Sequence, residues 1–317
     1  MNEVRSDPTA WPALPYPEWQ ATCETLQLWT QVVGKVRLAQ TPWLNHAWHV
    51  PLYVTARGLE TSLIHHRTGA FDIAFDFIEQ RLVLRSANGA SRTFALEPMS
   101  VAAFHAAVLE ALVGMGLPVS IHGAPNEMAA AVPFAKDHAP RAYDRDSAHR
   151  FWRILVQAHR VMGRFRTAFL GKASPVHFFW GSFDLAVSRF SGRAAPPHPG
   201  GAPHLPDAVA REAYSHEVSS AGFWPGGGLV PYPTFYAYAY PEPAGFRDAS
   251  VRPAQAAYNA ELGEYLLPYD AVRTAADPDA VLMDFLVSTY EAAADAGGWD
   301  RRTLECALGV PGVPRPA

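Results

Sequence analysis

A recurring order of helices and strands constrains the fold more than any other feature of this sequence. Apolar periodicity and β-branched runs predict a helix over 18–38, strands at 48–55, 71–78, 82–85 and 93–96, and a helix from Ser100 to Met115. The order recurs as a helix over 148–170, strands at 176–188, 214–223, 234–240 and 264–267, and a helix over 278–295. We therefore predict an α+β fold of two diverged tandem α-β-β-β-β-α units, each an antiparallel sheet with helices on one face.

Short matches in the same order support a duplication. Val33–Arg37 matches Met162–Arg166, and the strand residues 52–55 match 185–188. The predicted units are residues 1–122 and 148–317, joined by a linker at 123–147 within one compact pseudo-symmetric body. Helices containing glycine are common, so two unrelated halves with one element order remain an alternative.

Composition excludes several classes of protein. Of the 317 residues 49% are apolar and 18% charged, which is enough core material to exclude disorder, and the net charge of −4 comes without a basic patch for nucleic acid. No apolar run reaches the ~18 residues of a membrane span, and Met1 to Pro17 lacks the pattern of a signal peptide. Cys23 and Cys306 fit no metal spacing; two free thiols in a reducing compartment are the simpler interpretation, and a disulfide between them stays open. We expect a cytoplasmic protein with a small-molecule ligand, no nucleic-acid partner and no membrane partner, and leave its oligomeric state open.

Strand alternation predicts a polar face rich in aromatic residues. It separates Trp180 and Asp184 from the apolar side chains of 176–188, and it places Tyr238 in a tyrosine stripe over 234–240. Aromatic rings interleaved with ionisable groups are typical of a ligand-binding recess. The same face could instead be internal packing between the two units.

Histidines and carboxylates on these strands suggest a metal-assisted site. Imidazole combined with carboxylate suits Zn or Fe, so one divalent transition metal is the cofactor we consider. The candidate ligands are His49, His177 and His216. The spacing of His46 and His49 is no established metal motif, and His177 on an apolar face also fits a core histidine.

The remaining candidates fall into two roles. The catalytic candidates are Asp184 and Glu217, and the substrate-binding candidates are Trp180, Tyr238, Arg57, Arg189 and His198. We expect an enzyme that acts on a small organic molecule in a recess between the two units, by metal-assisted hydrolysis or elimination. A non-catalytic small-ligand-binding protein and a structural or partner-binding protein remain alternatives.

One insertion (residues 192–206) has no counterpart in the first unit. It carries five prolines, which restrict the backbone and favour an ordered loop. Long loops inside compact domains are usually functional or disordered. We expect the insertion to cover the shared recess as a lid.

Three long strings resemble a bacterial domain-of-unknown-function family, DUF5996. They are SPVHFFWGSFDLAVSRFSGR, YSHEVSSAGFWPGGG and ELGEYLLPYDAVRTAADPDA. The resemblance runs from about Trp11 to Glu305, which is nearly the whole chain. It implies no activity, ligand or catalytic residue.

Overall fold

The structure, a computed structural model, describes residues 10–128 and 130–315. It confirms the α+β fold. The helices in this part of the chain are α1 (Tyr16–Gln40), α2 (Val101–Gly114), α3 (Arg145–Arg166), α4 (Asp207–Ala213), α5 (Tyr269–Arg273), α6 (Pro278–Ala296) and α7 (Arg301–Leu304). None of them has the length and apolar character needed to cross a membrane. The segment Met1 to Pro17, where the sequence predicts no signal peptide, lies partly outside the described residues.

Side chains cap the N-terminal ends of α2 and α3. Ser100 accepts a hydrogen bond from Ala103 N at the start of α2, and Asp144 accepts one from Ser147 N at the start of α3. Such caps satisfy amides that have no partner inside the helix. The first long helix begins at Tyr16 with Pro17 in its first turn, where the missing amide proton costs nothing.

The strands form two antiparallel sheets. The first contains β1 (Tyr53–Val54), β2 (Gly58–Glu60), β3 (Ile64–His66), β4 (Gly69–Asp76), β5 (Arg81–Ser86) and β6 (Ser91–Ala95). The second contains β7 (His177–Phe179), β8 (Asp184–Ala194), β9 (His216–Trp224), β10 (Thr234–Tyr240), β11 (Ala257–Asn259) and β12 (Glu264–Pro268). Their strand orders are β1-β2-β4-β5-β6, with β3 on β4, and β11-β12-β10-β9-β8-β7.

The two halves are joined into one body. Leu52 and Phe178 exchange backbone hydrogen bonds of 2.8 and 2.7 Å, so the edge of the first sheet meets the edge of the second. Trp19 of α1 stacks on Phe151 of α3 at 5.0 Å between ring centroids. A single core cluster contains buried residues of both halves. Any recess between the halves is therefore held by rigid walls.

The second sheet has one face covered by α3 and α6 and an opposite, free face that lies away from these two helices. Arg189 of β8 marks the covered face, because its guanidinium lies over the rings of Phe165 at 3.5 Å and Tyr290 at 4.4 Å, from α3 and α6. Alternation then turns Asp184, Ala186 and Ser188 to the other side. That free face forms the floor of the site described below.

The duplication and the proposed unit boundaries stay predictions. Both halves run from a long helix through an antiparallel sheet to a second helix. The matched glycines differ in surroundings, however: a Cβ on Gly34 would lie 2.2 Å from Trp180 Nε1, whereas a Cβ on Gly163 would meet nothing within 4 Å. The shared element order alone does not decide whether the two halves arose by duplication of one unit or share that order by coincidence.

Two predicted strands are wrong in detail. The segment 48–55 follows a 3-10 turn at Asn45–Ala47, in which His46 and Ala47 have φ of 56° and 55°, and only Tyr53–Val54 of the segment is strand. The segment 176–188 is a hairpin instead of one strand, since Phe183, at φ 63°, reverses the chain and its amide bonds to Phe179 O at 2.8 Å.

Candidate functional site

A cavity of about 810 Å³ lies between the free face of the second sheet and residues of the first half. Its floor comes from β8, β9 and β10, and its walls come from α1, the turn at 43–50 and the linker at 122–127. The insertion and α4 close it, through lining residues that include His198, His204 and Val209. A hollow of this size accepts a small organic molecule.

The lining is largely aromatic and aliphatic. Trp180 stands at the wall, with its indole nitrogen donating to Val50 O at 2.9 Å, and Gly34 of α1 leaves the room that the indole occupies. Tyr238 bonds hydroxyl to hydroxyl with Tyr214 at 2.8 Å, and His198 stacks on Tyr214 at 4.6 Å. These side chains are held in fixed positions, so they form a preorganised apolar surface.

Asp184 is the central polar group of the floor. Tyr236, two strands away on β10, lies across Gly222 of β9 and donates its hydroxyl hydrogen to Asp184 Oδ2. A Cβ at Gly222 would lie 2.3 Å from that hydroxyl and 2.4 Å from Leu185 O, so only glycine admits this contact. The other oxygen, Oδ1, is buried without a hydrogen-bond partner among the described residues.

Burial raises the pKa of Asp184 to about 7, because the ionised carboxylate loses its hydration. The bond from Tyr236 opposes the shift, the negative charge of Glu127 adds to it, and polar contacts of the carboxyl with the Ser182 hydroxyl and the Asp184 backbone amide oppose it. Burial also raises the pKa of Glu264 to about 7, with a contribution from Asp184. Asp184 in the floor and Glu264 on the neighbouring strand β12 are therefore both poised between their two protonation states at neutral pH.

Glu127 and Lys35 line the cavity near Ser182. Burial raises the pKa of Glu127, and the positive charge of Lys35 opposes that shift. Glu127 packs against Gly181, where a Cβ would lie 2.0 Å from its Oε1. Lys35 of α1 is only 2% exposed, and its Nζ donates to Asn126 Oδ1.

The insertion is ordered and tied to the linker. Glu127 N donates to Pro203 O at 2.7 Å, and Asn126 Nδ2 donates to His204 O. Beyond it, α4 is tied to the turn at 43–50, because Glu212 Oε1 accepts from His46 N at 2.9 Å. The insertion thus lies over the cavity. It bonds to Asn126 and Glu127, whose polar side chains line that cavity.

Removing the insertion is expected to weaken ligand binding more than it weakens the fold. We expect replacement of residues 194–205 by a short Gly/Ser link to lower the affinity for the neutral fluorophore N-phenyl-1-naphthylamine about tenfold or more, because one wall is lost. The unfolding free energy should fall by only about 1 kcal/mol for each lost hydrogen bond. Fluorescence titration and urea unfolding measure the two effects. Unchanged affinity with a large loss of stability would make the insertion structural.

His46 is fully engaged at the other end of the cavity. Its Nδ1 lies 2.7 Å from Ala213 O and must donate, so Nε2 is the acceptor for Lys172 Nζ at 2.5 Å. Burial lowers the pKa of His46, which keeps the ring neutral. Its ring stacks on Phe190 at 4.3 Å. His46 therefore holds the cavity wall in place and has no nitrogen left for a ligand.

The candidates from the sequence divide into two groups. Four of them line the cavity: Asp184, Trp180, Tyr238 and His198. Six are not among the described residues that line it: Glu217, Arg57, Arg189, His49, His177 and His216.

The three histidines of the metal hypothesis do not meet. Among residues 10–128 and 130–315, no group of three or more His, Cys, Asp or Glu side chains is arranged to hold a metal ion. His49 lies beside Trp43 at 4.6 Å, with Nδ1 accepting from Leu44 N at 3.3 Å. His216 lies edge-on to His46 at 5.8 Å between centroids. The metal hypothesis therefore gains no geometric support and forms no part of the function proposed below.

His177 is a buried ring without a polar partner. It is 0% exposed, contacts Phe179 at 4.7 Å and Trp48 at 6.4 Å, and both ring nitrogens lack hydrogen-bond partners among the described residues. Burial lowers its pKa to about 3, with smaller contributions from Arg37 and Arg166. The ring is therefore neutral and behaves as a packing group.

The charged candidates outside the cavity are ion pairs or packed groups. Arg57 pairs with Asp76 at 2.7 Å while half exposed, and Glu217 accepts from Arg193 at 2.7 Å and Ser191 at 2.8 Å. Arg189 lies on the helix-covered face, where burial lowers its pKa to about 10. None of the three is placed to touch a molecule in the cavity.

A second hollow, of about 470 Å³, lies beside the turn between β4 and β5. Its principal polar groups already pair with each other, since Tyr143 donates to Gln80 Oε1 at 2.6 Å. It offers no free buried group comparable to Asp184 Oδ1. We therefore take the larger cavity as the candidate site.

Sequence reasoning missed Lys35, Asn126, Glu127 and the pairing of Tyr236 with Asp184. Lys35 lies in an apolar turn of the predicted helix. A lysine there was a usable signal, because only three of the 26 Lys and Arg residues in the sequence are Lys. Asn126 and Glu127 lie in the predicted linker, which has no periodicity. Only the folded chain shows that this linker packs on α1.

Both cysteines are free, Cys23 buried and Cys306 half-buried.

A family model, described as a family of unknown function (DUF5996), matches residues 11–306 and confirms the resemblance carried by the three strings. No curated protein and no solved structure matches the chain. The residues of the cavity itself are therefore the only guide to what happens there.

Proposed function

We propose that this chain, which belongs to DUF5996, a family of unknown function, is an enzyme that moves a proton on a small, largely apolar organic molecule. The molecule is held in the 810 Å³ cavity, and Asp184 is the acid–base group. The proposal keeps the expected substrate class and recess and does not require a metal.

One observation carries the proposal: Asp184 is buried in a ligand-sized cavity with one carboxyl oxygen unpartnered. A buried carboxyl without a full set of hydrogen bonds costs stability, and such costs persist where function uses them. Its pKa of about 7 is the value at which a single group both takes and returns a proton at neutral pH. Carboxyls that serve structure alone, such as Glu217 beside Arg193, are paired with a cation.

The neighbouring residues support the same chemistry. The Tyr236 hydroxyl holds Oδ2, which fixes the carboxyl plane and leaves Oδ1 for the substrate. The aromatic walls at Trp180 and Tyr238 exclude water, so a carboxylate formed there is a stronger base than one in solvent. In the forward step Oδ1 accepts a proton from the substrate, and in the return step it donates that proton to another atom of the same molecule.

A non-catalytic small-ligand-binding protein is the second candidate. The largely apolar lining favours it, because such a surface binds a hydrophobic molecule without any proton transfer. The two candidates share the cavity and differ in whether Asp184 does chemistry.

A proton-transfer probe separates the two candidates. 5-Nitrobenzisoxazole opens to a coloured cyanophenolate when a base removes the C3 proton of its isoxazole ring and the N–O bond breaks, with no other reactant. We expect saturable turnover whose rate rises with pH and levels off above about pH 7, as the Asp184 carboxylate forms. N-Phenyl-1-naphthylamine should bind one molecule per chain and compete with the reaction. Binding of the fluorophore without turnover would favour the non-catalytic ligand-binding protein. Absence of both binding and turnover would contradict the proposal.

A further inference from the structure

We propose that Lys35 is a nucleophile that forms a Schiff base with an aldehyde or ketone group of the molecule bound in the cavity. The inference rests on the proposed function of this cavity, and it adds the chemical class of the substrate.

Lys35 is buried without the partner that a buried lysine normally has. Its side chain is 2% exposed, yet its Nζ bonds to the neutral amide oxygen of Asn126, and the Trp180 ring lies 5.6 Å from it. No carboxylate of the described residues lies within ion-pairing distance. Lysines are rarely buried unless paired, because the ammonium loses its hydration. Burial accordingly lowers the pKa of Lys35 to about 8, with Glu127 opposing the shift.

The choice of lysine at this position is itself informative. The chain has 23 Arg and three Lys: Lys35, Lys136 and Lys172. The Lys/Arg–carboxylate ion pairs formed within the described residues all use Arg. Arginine keeps its proton in proteins, whereas a buried lysine can become a neutral amine. A chain that otherwise relies on Arg has therefore placed its one buried Lys in the wall of a ligand cavity.

The surroundings hold the amine in a defined place. Gln31 bonds twice to the backbone of Asn126, at 2.9 Å to its oxygen and 2.7 Å from its nitrogen, which fixes the residue that accepts from Nζ. A neutral amine that donates one hydrogen to Asn126 keeps its lone pair for a carbonyl carbon. This is the arrangement that an amine nucleophile requires.

The reaction balances without another reactant. The Lys35 ammonium first gives a proton to a cavity carboxylate, and the amine lone pair then forms a C–N bond while the carbonyl π pair moves to oxygen. That oxygen takes a proton from a cavity carboxyl, and the new C–N nitrogen returns one proton to a carboxylate. The resulting carbinolamine loses water as the C–O bond breaks with a second proton, and the nitrogen lone pair forms C=N. Overall, a carbonyl and the Lys35 ammonium give a protonated imine and water. Glu127 and Asp184, both lining the same cavity, are the groups able to supply and recover the protons.

The test is reductive trapping on the whole protein. The chain is incubated at neutral pH with 6-methoxy-2-naphthaldehyde and sodium cyanoborohydride, and the labelled peptides are quantified by mass spectrometry. Lys136, which is exposed and lies outside the cavity lining, is the internal control in the same molecule. We expect Lys35 to be labelled about tenfold faster than Lys136, and N-phenyl-1-naphthylamine to suppress the Lys35 adduct without affecting that of Lys136. The N-terminal amine is counted as a separate peptide.

Variants complete the test. Lys35→Met should abolish the naphthyl adduct in that peptide, whereas Lys136→Met should leave Lys35 labelling unchanged. Equal or slower labelling of Lys35, measured on the unmodified chain and so independent of how the variants fold, overturns the inference. If the fluorophore still binds and 5-nitrobenzisoxazole still turns over in that case, the proposed function stands and only the Schiff base falls. If neither occurs, both fall.

Discussion

Asp184→Asn is expected to lower the turnover of 5-nitrobenzisoxazole by about 10²–10⁴-fold, the range that a positioned acid–base group contributes. The amide keeps the shape of the carboxyl and can still accept from Tyr236, but it cannot take a proton. Binding of N-phenyl-1-naphthylamine should persist, because the apolar walls are intact. The matched control is Asp72→Asn, which removes a surface carboxylate paired with Arg85 at 2.6 Å.

The same variant should gain stability at alkaline pH. The folded-state pKa of Asp184, about 7, lies above its ordinary value of 3.8, so stability from this group is fully present below that ordinary value and is lost as pH rises from there through 7. Each pKa unit corresponds to about 1.4 kcal/mol, so at about pH 8 Asp184→Asn should be more stable than the parent by a few kcal/mol. Urea unfolding across pH measures this. A variant that loses turnover and stability together would mean that Asp184 is structural.

His177→Phe is expected to make the protein more resistant to acid. The pKa of His177 is depressed to about 3 in the folded chain, so stability from this group is present above the unfolded value of 6.5 and is lost as pH falls toward 3. Between about pH 6 and pH 4 this one ring should lower the unfolding free energy by about 1.4 kcal/mol per pH unit. Phenylalanine keeps the ring contacts with Phe179 and Trp48 and removes two unpartnered nitrogens.

The measurement compares the slope of the unfolding free energy against pH in the parent and in the variant. His65→Gln, at an exposed position, is the control and should leave the slope unchanged. Near neutral pH, His177→Phe should change stability little, since a neutral buried ring is replaced by another. Equal acid sensitivity in parent and variant would show that His177 has a partner in solution that the structure does not contain, and would reopen its role as a ligand.

The fold was largely predictable from sequence where structure follows local periodicity. The strand at 234–240 forms over those residues, and the helix predicted at 278–295 forms as Pro278–Ala296. The errors fall at turns built from residues other than glycine in left-handed conformations, such as His46 and Phe183. Such residues carry no sequence marker, because tertiary contacts impose the conformation.

The site was predictable only in part. Alternation over 176–188 placed Trp180 and Asp184 on one face, and both line the cavity. The meeting of Glu127 with Lys35 was out of reach, because it depends on a linker without periodicity that packs against α1. The metal ligands were predicted from a pattern that does not discriminate between roles. A core His177 and a metal-binding His177 have the same place in the strand pattern, and only the contacts in the folded chain distinguish them.

The central claim, that Asp184 is a cavity carboxyl poised near neutral pH, is tested most directly by infrared titration. The carbonyl band of a protonated carboxylic acid is followed with pH in the parent, in Asp184→Asn and in Glu264→Gln, since both carboxyls have raised pKa values. The account predicts a component with a midpoint near about pH 7 that decreases by the contribution of one carboxyl in Asp184→Asn and by that of the other in Glu264→Gln. Loss of that component in Glu264→Gln alone, with Asp184 titrating near about pH 4, would contradict it.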